Sequence, residues 1–125
     1  MYPRVVIRLD HLRENVKVVR ELCEKNHISI TGVTKVFRGD PKIAQCYLDG
    51  GLTMLGDSRT ENLERMQSLS AEKWLIRPPM LSRAAETARY ADAALHSEWH
   101  VIEAVAAEAE KLGKKHKVIL MADLG

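Results

Sequence analysis

The sequence predicts an α/β fold built on a parallel sheet, and three observations carry that prediction. Short apolar, β-branched runs alternate with helical stretches along the 125 residues, a strand recurring roughly every 20–25 residues as in βαβ units. The strand runs are near-continuously apolar, as expected of strands covered on both faces. Five successive strands finish on a polar or ionisable group, at the edge where parallel α/β folds gather their βα loops.

Each element follows from local chemistry. "RVVIRL" (4–9) is a first strand, followed by a helix from about Asp10 to Lys25 with Asp10 as N-cap. Leu12, Val16, Val19 and Cys23 fall on one helical face. "ISITGVTK" (28–35) is the second strand. "GDPKIAQCYLDGG" then gives a helix with Asp40 as N-cap, Pro41 at its first position and Gly50 at its stop. "TMLG" (53–56) is a third strand, leading through "DSRTEN" into a helix ending near Leu69. "KWLIR" (73–77) is a fourth, followed by Pro78, Pro79 and a short helix capped by Ser82. "AALH" (93–96) is a fifth. Ser97 caps a long helix stopping at Gly113, and "KVILMADLG" (117–125) is the sixth strand. Part of a (β/α)8 barrel and an open flavodoxin-like sheet both fit this order.

Composition narrows the function. The chain is 46% hydrophobic and 29% charged, the profile of one soluble domain spanning 1–125. Nineteen basic against 17 acidic residues leave a net charge of only +2, and aromatic residues are 5%. Neither a nucleic-acid field, nor a stacking surface, nor a membrane-attracting patch is indicated. "MYPRVVIRLD" has no apolar run long enough for a signal peptide, and no transmembrane stretch occurs. Cys23 and Cys46 lie far apart in helical patterns and read as reduced, buried side chains of a cytoplasmic protein.

The strand ends carry the candidate chemistry. In order they are Lys35, then Asp57 with Ser58 and Arg59, then Arg77, then His96 with Ser97, then Asp123. Strand starts show nothing comparable, so parallel neighbours would bring these groups to one rim. Arg59 and Ser58 also suit a plain helix start. Lys35, directly after "ITGVT", is expected to bury its stem and hold its amine at the rim. Desolvation there favours the neutral, nucleophilic amine. The alternative is an amine that reaches solvent or pairs with Asp57 or Asp123.

"TGVTKVFRGDPKIA", "MLGDSRTENLERM" and "HSEWHVIEA" resemble the N-terminal barrel of pyridoxal-phosphate-dependent amino-acid racemases, most of all the alanine/ornithine racemase branch. The resemblance covers nearly the whole chain. It implies a (β/α)8 barrel, a lead-in strand at "RVVIRL", and a Schiff base between Lys35 and pyridoxal 5′-phosphate. It also implies that Lys35, once freed by the amino-acid substrate, acts as base on one face of Cα while the cofactor serves as electron sink. A second acid/base, a tyrosine from a partner subunit's C-terminal domain in these enzymes, has no candidate here. A full barrel runs to about 250 residues. The resemblance therefore implies the front portion of a larger racemase, with five barrel βα units and little or no turnover by these 125 residues alone; the strand edges that a missing barrel half would leave favour self-association. Asp57, Arg59, Arg77, His96 and Asp123 are expected to line the cofactor site, on strand-end position alone.

Departures from the family pattern are specific. Gly39 stands where alanine racemases usually place a tyrosine, and Met121 where they often place a modified lysine. Both favour the ornithine-type branch. Arg38 replaces a smaller residue, often cysteine; it could reach a phosphate or a substrate carboxylate, with solvent the favoured reading. Two rival functions remain: a non-catalytic pyridoxal-phosphate-binding protein, and an inactive partial barrel that self-associates. "HSEWH" sets His96 and His100 four apart, but not in the HExxH order of zinc peptidases, and no metal site is expected. "KLGKKHK" reads as a solvated helix end that complements the helix dipole, and "GDP" lacks the glycine spacing of a nucleotide loop.

Overall fold

A computed structural model of the protein describes residues 2–125. Five parallel strands form one sheet: β1 (Gly32–Val33), β2 (Met54–Asp57), β3 (Glu72–Leu75), β4 (Ala93–His96) and β5 (Lys117–Leu120). Five α-helices accompany them: α1 (Leu9–Lys25), α2 (Pro41–Asp49), α3 (Thr60–Arg65), α4 (Ala84–Tyr90) and α5 (Trp99–Lys111). The strands neighbour one another in chain order, β1 to β5, and every pair is parallel. A flavodoxin-like sheet would reverse direction after its first crossover. Strictly sequential order is instead the arc of a (β/α)8 barrel, which settles the choice the sequence left open.

Alternation along the strands separates two faces. Leu55, Leu75 and Ala94 are buried and pack with Ala44 and Leu63 of the helices and with Met66 just after α3. Their alternates Met54, Trp74 and Leu95 are only half-buried and form the inner face. There Glu72 accepts from Trp74 Nε1 at 2.7 Å and from Lys117 Nζ at 2.8 Å, tying β3 to β5 across β4. A second cluster joins α4 to α5 through Ala84, Ala88, Val101, Val105 and Ala109.

Several boundaries differ from expectation. "RVVIRL" forms no strand, because no described strand offers it a ladder, and Val5 and Val6 stand exposed. Helix α1 begins at Leu9 with Arg8 as N-cap, so Asp10 sits in its first turn. On its packed side Leu12, Val16 and Cys23 are half-buried, whereas Val19 is exposed. Only Gly32–Val33 of "ISITGVTK" joins the ladder, and Lys35 opens a 3-10 turn over Lys35–Phe37. Helix α3 stops at Arg65, not Leu69. Ser82 lies within a 3-10 turn, and Arg83 and Glu98 occupy the N-cap positions of α4 and α5 expected for Ser82 and Ser97. The last strand ends at Leu120.

Other local readings hold. Asp40 caps α2, its carboxylate accepting from Lys42 N at 2.9 Å and Ile43 N at 3.2 Å, with Pro41 at the first position. No described helix is long and apolar enough to cross a membrane.

Candidate functional site

The carboxyl ends of β1 and β2 are fastened to each other before either chain turns away. Thr34 N donates to Gly56 O at 2.9 Å, the last bond of the β1–β2 ladder. The chain then winds through the 3-10 turn that begins at Lys35. Arg38 and Gly39 follow, both left-handed with φ of 56° and 65°. At Gly39 a side chain is forbidden by more than φ, since a Cβ would lie 2.6 Å from Asn62 O. The turn carrying Lys35 thus rests directly on α3.

Asp57 is the anchor of this arrangement. It has no exposed surface and accepts three hydrogen bonds: from Thr34 Oγ1 at 2.6 Å, Asn62 Nδ2 at 2.9 Å and Arg59 N at 3.1 Å. A carboxylate can be buried at acceptable cost only with such a full set of donors. Through Thr34 it fixes the residue before Lys35, and through Asn62 and Arg59 it fixes the start of α3.

In front of this anchor lies a recess of about 520 Å³, lined by Lys35, Arg38, Ser58, Arg59, Asn62 and Arg65, with Glu61 at its side. Four cations face one carboxylate, so the recess favours anions. Glu61 is already engaged by Arg83 Nη2 at 2.8 Å. Its own backbone N–H first, then the Arg83 and Arg59 guanidiniums, hold its carboxyl below the ordinary range. Arg65 braces the turn by donating to Arg38 O at 3.3 Å. Lys35 itself has no hydrogen-bond or ion-pair partner on its side chain among the described residues.

The six residues singled out from the sequence are therefore divided. Lys35 and Arg59 share the recess, and Arg77 stands with Arg59 on an adjoining cleft. Lys35 is exposed, contrary to the desolvated stem expected for it, because the ladder ends before it and the 3-10 turn carries it onto the open rim. Asp57 lies behind the rim, on the helix-facing side shared with Leu55. His96 likewise shares the parity of Ala94; it is 1% exposed, with Nε2 3.3 Å from His116 Nε2. Burial lowers the pKa of both rings, and neither Nδ1 has a partner. His100 is exposed beside Glu98 and does not meet His96. Asp123 sits in exposed coil beyond β5, accepting from Gly125 N at 3.0 Å. Thr34, Asn62 and Arg65 were not anticipated. The signal for Thr34 was its place between "TGV" and Lys35, opposite a strand that also ends in a carboxylate.

A parallel arc wound in chain order, with a lysine and a cationic recess on its carboxyl rim, defines a barrel-type α/β protein whose chemistry sits among the βα loops. Residues 7–125 match the family described as alanine racemase, N-terminal domain, and the chain belongs to that family. The family's cofactor is pyridoxal 5′-phosphate. The chain is 34% identical to the ornithine racemase of Acetoanaerobium sticklandii over 125 residues, all of this chain and 35% of that one. It is 35% identical to the lysine racemase of Thermotoga maritima over 127 residues, all of this chain and 36% of that one. It thus spans about a third of the length of these relatives. Among solved structures, D-threonine aldolase from Filomicrobium marinum matches with TM-score 0.80 at 12% identity, over 100% of this chain and 35% of that one. PipY of Synechococcus elongatus PCC7942, with PLP bound, matches with TM-score 0.77 at 16% identity, over 91% and 55%. These two likenesses speak to the fold.

Proposed function

We propose that the protein acts as a pyridoxal-phosphate-dependent amino-acid racemase, with Lys35 as its cofactor lysine. The observation that carries this reading is the setting of Lys35: an unpartnered amine on the carboxyl rim, beside a recess rich in guanidinium groups, on a turn anchored by Asp57. The residues present fit the cofactor. Lys35 Nζ would hold it covalently, and Arg38, Arg59 and Arg65 offer charge to a phosphate or a substrate carboxylate. When bound, pyridoxal phosphate withdraws the electron pair left as the Cα–H bond of the amino acid breaks.

The chain's own part is proton handling and positioning. Lys35 Nζ takes or delivers the Cα proton on one face, and inversion requires a second acid/base on the opposite face. Thr34 and Asp57 set the direction from which it approaches. His96, on the helix side, and Asp123, in the terminal coil, have no part in this site. The protein forms a single α/β unit, and its substrate is a free amino acid; the two racemase relatives act on ornithine and lysine by name. Self-association is part of the same proposal, supported by the apolar side chains of Val118 and Leu120 on β5, 43% and 70% exposed.

The test is exchange of the Cα hydrogen of L-ornithine, L-lysine and L-alanine into deuterated water by the cofactor-loaded protein. Exchange of at least one, lost in Lys35→Ala, is expected. Cofactor binding without exchange of any of them would favour the non-catalytic reading, to which the PipY fold is also compatible.

A further inference from the structure

A second cleft, of about 260 Å³, opens beside the Lys35 recess between the β2–α3 and β3–α4 connections. Arg59, Arg77 and Arg83 stand on its wall, and Leu75, Met80 and Thr87 also line it. Arg83 is committed to Glu61 at 2.8 Å and to Glu86. Arg59 and Arg77 form no ion pair among the described residues, so two guanidiniums are free to meet an anion.

Thr87 makes this more than a charged surface. It lies in α4 with no exposed area, and its Oγ1 is buried without a hydrogen-bond partner. A helical threonine can satisfy that hydroxyl on a carbonyl one turn earlier. Here no such bond forms, and an orphaned buried hydroxyl destabilises the fold unless something bonds to it. A group with an acceptor oxygen would relieve it. Leu75 and Met80 add an apolar surface, and the volume suits a small organic acid and is too small for a nucleotide.

We infer that this cleft is a second binding site, which takes a short-chain carboxylate. The carboxylate sits with Arg59 and Arg77, and a small local shift opens the Thr87 hydroxyl to donate to it, while the aliphatic tail lies against Leu75 and Met80. The site shares Arg59 with the Lys35 recess but does not use Lys35.

The test is a titration of the isotope-labelled protein with butyrate, followed by amide chemical shifts. Saturable shifts are expected at Arg77 and Thr87, with Lys35 unmoved. Arg77→Gln should weaken binding by about tenfold or more, since a charge-assisted hydrogen bond is lost. Thr87→Val should weaken binding while leaving thermal stability equal or higher, a split that a purely structural threonine would not produce. Lys35→Ala should bind butyrate normally. Absence of saturable shifts, or equal affinity in Arg77→Gln and Thr87→Val, overturns the proposal. Loss of binding in Lys35→Ala moves the anion to the other recess and overturns it too, while leaving the racemase reading intact. Inorganic phosphate binding more tightly than butyrate at the same residues would refute the carboxylate assignment.

Discussion

Replacing Asp57 separates a structural anchor from a residue that merely lines a rim. In Asp57→Ala the three donors lose their acceptor. Thr34 Oγ1 can turn to Gly56 O, 3.3 Å away, so the buried Asn62 Nδ2 and the half-buried Arg59 N are left without their acceptor. The buried donor costs about 1–3 kcal/mol and the half-buried one about 1 kcal/mol more, a loss of about 2–4 kcal/mol. That is a large part of the ~5–15 kcal/mol by which a domain is stable. Asp57→Asn keeps the volume and one acceptor oxygen for Asn62 and Arg59. Its new amide can donate to Thr34 while Thr34 donates to Gly56, so a loss of only about 1 kcal/mol is expected. Urea denaturation of the three proteins measures the difference. Asp57→Ala within about 1 kcal/mol of the parent, or Asp57→Asn as damaging as Asp57→Ala, would refute the anchor.

Two further outcomes follow from the same geometry. Gly39→Ala and Gly113→Ala both force a left-handed residue, at φ of 65° and 64°, but only the Gly39 Cβ meets Asn62 O; nothing lies within 4 Å at Gly113. Both should lose about 1 kcal/mol in chemical denaturation, and Gly39→Ala clearly more; equal losses would show that the turn does not rest on α3. The His96–His116 pair predicts a pH dependence, with Asp92 and Lys114 the charged groups acting on His116. Burial lowers both folded-state pKa values, so below about pH 6.5 the unfolded chain binds more protons and stability falls as pH drops. Thermal melts from pH 8 to 5 should show this fall, and His96→Gln with His116→Gln should flatten it; an unchanged slope would contradict the pairing.

What the sequence revealed follows from how local each cause is. Asp40, Pro41 and Gly50 specify α2 by capping chemistry confined to a few residues, and that helix appears where it was placed. "RVVIRL" has strand composition, but a strand exists only where a neighbour supplies its ladder, which propensity does not encode. Asp57 and His96 show a subtler gap. Both end strands, yet each lies two residues beyond a buried helix-facing residue, Leu55 or Ala94. Alternation alone would have turned them away from the barrel interior. By the same rule Thr34 turns toward Asp57. The 3-10 turn that begins at Lys35 and brings it beside Arg38 and Arg65 depends on Gly39 packing on Asn62, a contact across 23 residues that no local pattern records.

The central claim is that Lys35 is the cofactor lysine. Titrating the protein with pyridoxal phosphate, following the visible absorbance band, fixing the adduct with borohydride and mapping the labelled peptide tests it most directly. A saturable band with the label on Lys35, absent in Lys35→Ala, is the predicted result. A label carried by another lysine, or an unchanged band in Lys35→Ala, would contradict it.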